Sequence, residues 1–373
     1  MKKFKDLFTV ILFSAVIFAM TAGYIILPDG TVSYAERRKL SEFPELSAET
    51  VLSSEFSEKL EGYFLDQSPL RDGYRYLNTF VRMQLLFASD VNGLWTEDGH
   101  IFKLADKFDK KQVQYGTTLM NKVISDHLEG MNVYYSVIPD KNYFSKSDKP
   151  SFDYDSFFEA LSQSGLDAEY IDIFDTLSLD KYYCTDSHWS QEQILPVAKR
   201  LAEKMGREYT EQEYETKEIP DFYGVYYGQG AFTGIKPDTI RYLTNAELEN
   251  ADVYGIPADI LKEKFGVTDT LSKEVYALDK LEGMDAYDIF LSGGQPVVTV
   301  EKKEGNGREL VIFRDSFSSS LAPLMLGAYQ KLTLVDLRYI PSKLLGDFVE
   351  FNENQDALFL YSASMLNSSM LMK

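Results

Sequence analysis

The sequence predicts an α/β fold, a mostly parallel sheet with helices on both faces, preceded by one transmembrane helix. Three observations carry this. From Lys110 onward short apolar runs alternate with helical patterns, the rhythm of parallel strands joined by crossover helices. The 373 residues are 45% hydrophobic, enough for the core of one large domain with accessory segments. Near the N-terminus, Leu7 to Leu27 are 21 residues without a charge, and at about 1.5 Å per residue they match the roughly 30 Å hydrocarbon core of a bilayer.

Lys2, Lys3 and Lys5 precede the apolar run, and Arg37, Arg38 and Lys39 follow it, so the flanking basic residues nearly balance. The order of short basic stub and apolar run decides for a cytoplasmic N-terminus with the remainder outside the cell membrane. The run continues past Ala22 and Gly23 to Leu27 without a small-x-small site before a polar region, so an uncleaved single-pass anchor is expected. Three segments follow from this reading: stub and anchor at 1–28, a juxtamembrane helical segment at 29–92, and the main domain at 93–373 with an insertion near 206–286.

In chain order, Val51 to Phe87 place Phe56, Leu60, Phe64, Leu77, Phe80 and Val81 at helical spacing around Pro69, which reads as two helices. Leu94 to Phe102 around Glu97-Asp98-Gly99 read as a hairpin. A helix is expected at Gln112 to Leu128, then a strand at Val133 to Ile138 stopped by Pro139, a helix at Phe157 to Ser164, and a strand at Tyr170 to Ile173. Gln191 to Met205 is amphipathic. Further strands are expected at Leu310 to Phe313, Leu332 to Val335 and Ala357 to Tyr361. The stretch 206–286, rich in Tyr, Gly and acidic residues, breaks the rhythm and reads as an insertion or cap.

A formal net charge of −20, spread along the chain, repels a phosphate backbone and argues against a nucleic-acid partner. Cys184 is the only cysteine, so there is no disulfide framework, and it reads as a small buried hydrophobe. His100, His127 and His188 fall in no zinc-ligand spacing. No metal or other cofactor is expected.

Two segments carry chemistry. Leu310-Val311-Ile312-Phe313-Arg314-Asp315-Ser316-Phe317 is an apolar strand, a tight turn and the start of a helix. A serine there projects its hydroxyl at the carboxyl edge of the sheet, where the helix start offers N–H groups to an oxyanion. Ser316 also reads as the N-cap of that helix. In Thr185-Asp186-Ser187-His188-Trp189, a carboxylate two residues before an imidazole can brace it, leaving the second ring nitrogen to take a proton from a serine. The alternative is a helix cap with an incidental histidine. Tyr223, Tyr226, Tyr227 and Phe232, interleaved with glycines, read either as a platform for sugar rings or as buried packing.

The order of Thr185-Asp186-Ser187-His188-Trp189 and Arg314-Asp315-Ser316-Phe317 resembles the alginate O-acetyltransferase proteins and the related bacterial DHHW family, a branch of the SGNH hydrolase superfamily. Glu36-Arg37-Arg38-Lys39-Leu40 with Phe43-Pro44, and Tyr63-Phe64-Leu65-Asp66-Gln67-Ser68-Pro69-Leu70-Arg71, extend the resemblance over nearly all of the chain beyond the anchor. It implies a three-layer α/β/α domain with Ser316 as nucleophile, His188 as base and Asp186 as its orienting acid. The chain departs from the pattern at Ser187, where the family name expects histidine, and at Arg314, where the turn usually has glycine. Ser292-Gly293-Gly294-Gln295 resembles a Gly-Gly-Asn segment, which implies Gly294 and Gln295 as oxyanion candidates. Arg338 stands in a further motif-like segment, where its guanidinium would hold an acidic group on a glycan or form a structural ion pair. The function implied is transfer of an acyl group, acetyl above all, to a cell-surface polysaccharide through a serine ester, with a multi-pass membrane-bound O-acyltransferase delivering the acyl group. An esterase and a non-catalytic glycan-binding scaffold are the alternatives.

Overall fold

The computed structural model describes residues 2–46 and 54–373. The chain divides into two compact units, Met1–Asn92 with Tyr227–Ile235, and Gly93–Tyr226 with Lys236–Lys373.

In the first unit, helix α1 (Lys2–Ile26) contains Phe4–Ile26, a segment of 23 residues long and apolar enough to cross a membrane and not buried inside the protein. A minimal ladder of β1 (Val32–Ser33) and β2 (Arg38–Lys39) leads to α2 (Ser54–Asp66) and α3 (Arg71–Phe80). These are the two helices expected around Pro69; the expected start at Val51 lies outside the described residues. One charge network ties them together. Arg38 forks onto Asp66, with Nη1–Oδ2 at 2.8 Å, while the Ser41 N–H donates to the same carboxylate at 2.9 Å. Arg71 and Arg75 pair with Glu36. Arg75 and Thr79 donate to the carbonyls of Gly228 and Gly230, both at 2.7 Å.

The second unit opens with the hairpin β3 (Leu94–Glu97) and β4 (His100–Lys103). Its centre is a seven-stranded sheet built from β5 (Asn132–Ile138), β6 (Glu169–Tyr170), β9 (Asp252–Gly255), β10 (Val297–Glu301), β11 (Glu309–Arg314), β12 (Lys331–Val335) and β13 (Gln355–Ser362). Their order is β6-β5-β13-β11-β12-β10-β9. Neighbours from β6 to β12 are parallel, and β10 runs antiparallel to both β12 and β9. A separate hairpin, β7 (Glu215–Phe222) with β8 (Asp238–Thr244), comes from the expected insertion.

Side chains alternate between the two faces of a strand, and both faces here are apolar. Leu310, Ile312, Leu358 and Leu360 enter one core, together with Val197, Ala198 and Leu201 of α6 (Leu195–Lys204) and Leu321 and Leu324 of α7 (Phe317–Met325). Val311, Phe313, Ala357 and Phe359 enter the other, with Val113, Met120 and Val123 of α4 (Lys110–His127) and Phe157 and Leu161 of α5 (Tyr154–Ser162). Helices thus cover both faces. The mixed α/β class and its mostly parallel sheet stand as read from the sequence.

The differences are local. The amphipathic stretch from Gln191 starts as a 3-10 turn, Gln191–Gln193, and becomes α-helical only at Leu195, because Pro196 is compatible with a first turn and not with a helix interior. The strand expected to run to Ile173 ends at Tyr170, where a 3-10 turn at Phe174–Thr176 soon follows. Within 206–286, β9 joins the main sheet as its edge strand; its half-polar Asp252-Val253-Tyr254-Gly255 lacks an apolar run to announce it.

Candidate active site

Parallel strands bring their carboxyl ends to one edge of the second unit. There β5 runs into Asp140 and Lys141, β11 into Asp315 and Ser316, β12 into Asp336, and β13 into Ser362. From Leu310 to Tyr329 every residue is buried except Ser316. A polar residue left accessible in a wholly buried strand-turn-helix is placed for contact with something outside the chain.

The turn is held by Asp315. Its carboxylate accepts the Phe317 N–H at 3.1 Å and, on the neighbouring strand, the Ser362 N–H at 2.8 Å. Ser316 occupies the N-cap position of α7, but its side chain caps nothing there. Its Oγ lies 2.8 Å from His188 Nε2, across 128 positions of sequence.

His188 Nδ1 lies 2.6 Å from Asp186 Oδ1, and the same oxygen accepts the His188 backbone N–H at 3.1 Å. The second Asp186 oxygen accepts the Val225 N–H at 2.8 Å. A carboxylate on Nδ1 fixes the tautomer that leaves Nε2 facing the serine. The imidazole stacks on the Tyr287 ring at 4.0 Å and 10°, and Phe317 packs at 4.9 Å. Tyr287 is itself anchored by donating to Ser320 Oγ at 2.8 Å. The ring therefore has one favoured plane.

The loop carrying Asp186 and His188 is held from both polarities. Lys141, 3% exposed, donates through Nζ to the carbonyl oxygens of Tyr183, Cys184 and Asp186 at 2.8, 3.2 and 2.6 Å. The Asp238 carboxylate accepts the N–H groups of Cys184 and Thr185, both at 2.8 Å. Desolvation pulls the Lys141 ammonium down to about 8, opposed by Asp186 and Asp238. Gly224 donates to Thr185 Oγ1 at 2.8 Å, and a Cβ there would run into Asp186.

The remaining sequence candidates are placed as follows. Arg314 is fully buried and donates to Ser319 Oγ at 2.7 Å and to the Gly293 carbonyl at 2.9 Å. It thereby links β11 to the Ser292–Gln295 loop. That loop is strained, with Leu291, Ser292 and Gly293 at φ 54, 59 and 68. The Gln295 amide is directed at the carbonyls of Asp269 and Ser292, at 3.3 and 3.5 Å. Gly294 lies against Tyr339, whose Oη would sit 2.8 Å from an added Cβ. Arg338 grips the fully buried Asp336 through Nε at 2.9 Å and Nη2 at 2.6 Å, the ion-pair alternative. Cys184 is half-buried with Sγ 3.6 Å from His100 Nε2, and burial raises its thiol to about 11, so it stays protonated. Tyr223 is exposed and Tyr226 partly buried, its ring 5.3 Å from Lys141 Nζ; Phe232, in the first unit, is buried.

Sequence reasoning did not single out Lys141, Asp238, Asp315 or Tyr287. A lysine two residues beyond the Pro139 strand stop was the available signal for the first. Nothing in the local sequence marked Tyr287.

No protein-family model matches the sequence, and a search of curated proteins finds no match. Solved structures do match. A DHHW family protein from Eubacterium siraeum aligns with a TM-score of 0.58 at 21% identity, over 74% of this chain and 93% of that one. PatB1 from Bacillus cereus, in a structure with a sulfonyl adduct, aligns with a TM-score of 0.57 at 15% identity, over 74% of this chain and 98% of that one. A second PatB1 structure gives a TM-score of 0.54 at 15% identity, with the same coverage. The resemblance read from the sequence is thus met at the level of the fold, shared with a DHHW family protein and PatB1.

Proposed function

We propose that this protein is a serine-dependent acyltransferase, anchored in the cell membrane by α1 with its second unit outside, that moves acetyl groups onto a cell-surface polysaccharide. One observation carries the chemistry: the continuous array Asp186–His188–Ser316, with separations of 2.6 and 2.8 Å. Both distances lie within the reach a general base and its orienting group require. The sequence resemblance directs that chemistry to acyl transfer.

In the proposed reaction Ser316 Oγ attacks the acyl carbonyl while its proton passes to His188 Nε2. Asp186 holds the imidazolium so formed. The Ser316 N–H faces the developing oxyanion, with Gly294 as a further proposed donor; the Gln295 side-chain and backbone N–H groups are directed at the carbonyls of Asp269, Ser292 and Gly293, so Gln295 supports the loop instead. His188 returns the proton to the leaving group, and an ester remains on Ser316. A sugar hydroxyl, giving its proton to His188, then attacks the ester, and the imidazolium returns that proton to Ser316 Oγ as the serine leaves. Coenzyme A thioesters are cytoplasmic, so an external site needs a membrane-bound O-acyltransferase to deliver the acyl group.

A sulfonyl fluoride tests the nucleophile, since sulfonylation needs an activated hydroxyl, and PatB1, which shares the fold, has been captured with a sulfonyl adduct. The expected result is one sulfonyl group on the peptide containing Ser316, absent in Ser316→Ala and His188→Ala. A wild-type protein that stays unlabelled under conditions that label another serine hydrolase contradicts the proposal.

A further inference from the structure

The first unit leaves a stripe of large apolar side chains uncovered. Tyr74 and Leu77 are one turn apart on α3, Leu70 stands at its N-cap, and Leu85, Leu86 and Phe87 follow at the end of its π-helical continuation Val81–Leu85 and just beyond it. Leu70 is 76% exposed, Leu77 57% and Phe87 85%. The opposite side of the helix is polar and engaged: Arg71 and Arg75 pair with Glu36, and Thr79 reaches the Gly230 carbonyl. A helix with one face bonded inward and the other apolar and bare is amphipathic without a partner.

Its position against α1 says what covers it. Tyr74 Oη lies 3.6 Å from Met20 Sδ. A Cβ on Gly23 would fall 2.6 Å from Pro69 Cγ, so the turn entering α3 rests on the anchor at that level. Tyr24 stacks edge-on to Phe64 at 5.4 Å and donates to the Phe64 carbonyl at 2.7 Å. Met20 precedes Ile26, the end of α1, by six residues, about 9 Å along the helix. If Phe4–Ile26 crosses the bilayer, Met20 to Tyr24 lie within the outer half of a hydrocarbon core about 30 Å thick. The start of α3 then lies just inside the boundary between headgroups and acyl chains, within the roughly 5–10 Å that the apolar face of an interfacial helix reaches, and Tyr24 and Tyr74 are the residue type that marks membrane interfaces.

We infer that the helix from Leu70 to Phe87 is an interfacial helix whose apolar stripe lies in the outer leaflet of the membrane that α1 crosses. The inference rests on the anchored reading of α1 and adds a second, lateral contact to it. Such a contact restrains the pivoting of the first unit about the anchor. Arg71, Arg75 and Arg82 on the other flank stay with the protein and headgroups.

The test uses the full chain in lipid vesicles, with Cys184 replaced by alanine and an environment-sensitive fluorophore on one introduced cysteine at a time. The sites are Leu77→Cys and Phe87→Cys on the stripe, Asp72→Cys on the polar flank, and Phe13→Cys within α1. The expected result is a blue-shifted emission at Leu77 and Phe87, most of it lost to lipids brominated near the headgroup, with Asp72 unshifted and quenched by aqueous iodide. Phe13 should respond to bromines deep in the chains. A Phe13 label quenched at depth beside a Leu77 label that reports water overturns the inference and leaves the anchor standing. A Phe13 label insensitive to all brominated lipids removes the anchor, and the inference with it. A Leu77 label that is blue-shifted but untouched by brominated lipid means a protein surface, such as a second copy, covers the stripe, and this also overturns the inference.

Discussion

Asp186 and Asp336 are both fully buried carboxylates in the second unit, and their surroundings differ in one respect. Asp336 meets a guanidinium, with Arg338 Nε and Nη2 filling both oxygens in a bidentate fork. Asp186 meets an imidazole on one oxygen and the Val225 N–H on the other. A guanidinium stays charged at any working pH and has no lone pair to offer, so the first pair holds no base. An imidazole has a second face: with Nδ1 on the carboxylate, Nε2 is left toward Ser316, where it can accept a proton. The difference teaches that burial and pairing alone do not mark a reactive carboxylate; the partner's second face does.

The largest effect should come from the imidazole side. Ser316→Ala and His188→Ala should each lower acyl-ester turnover by on the order of 10³-fold or more, and the double variant should be no worse than either, because the members act as one unit. Strictly multiplicative losses in steady-state rates would dissolve the unit. Asp186→Ala should cost about tenfold less than either, since it orients the base and does not itself react.

Lys141→Met should lower turnover by roughly tenfold through misplacement of the loop that carries Asp186 and His188, with substrate affinity little changed. Its pH dependence sharpens the point. In the folded chain the ammonium is pulled down to about 8, against its ordinary 10.5 when unfolded. Between those values the unfolded chain binds more protons, so Lys141 makes stability rise with pH there. Activity should move the opposite way, falling above about pH 8 as the amine loses a donor to the loop carbonyls. Lys141→Met should lack this basic limb. A wild-type rate flat to pH 9.5, in a window where the folded protein is intact by circular dichroism, would count against the loop's dependence on Lys141.

On the Asp336 side the expectation reverses. Arg338→Ala leaves a buried carboxylate without its cation and should reduce stability by about 3 kcal/mol, while turnover of a small ester by the folded fraction changes little. A normal melting temperature together with lost affinity for an acidic glycan would make Arg338 a ligand-binding group after all.

These assignments were unequally legible in the sequence. The α/β class and the strands β5, β11, β12 and β13 are plain because each is a short apolar run buried on both faces. The edge strand β9 and the antiparallel β10 were not expected, since pairing direction depends on chain path and leaves no periodicity of its own. Asp186, His188 and Ser316 stood in two short segments whose helix-cap readings stayed open on local chemistry, and the family resemblance of those segments in their order joined them into one candidate site. Lys141, Asp238 and Tyr287 were not, because each acts on that cluster from a distant segment, and only the folded sheet brings a lysine after β5 under the carbonyls of residues 183 to 186.

The central claim is that Ser316 carries the acyl group between donor and acceptor. Its most direct test is acid-quenched peptide mass spectrometry of the full-length protein during turnover of an activated acetate ester, with and without added glycan. A single acetyl group is expected on the peptide containing Ser316, accumulating without glycan and discharged on its addition, with acetyl recovered on the sugar. Acetyl transfer to glycan at an unchanged rate in Ser316→Ala, or an acetyl group found on another residue, would contradict it.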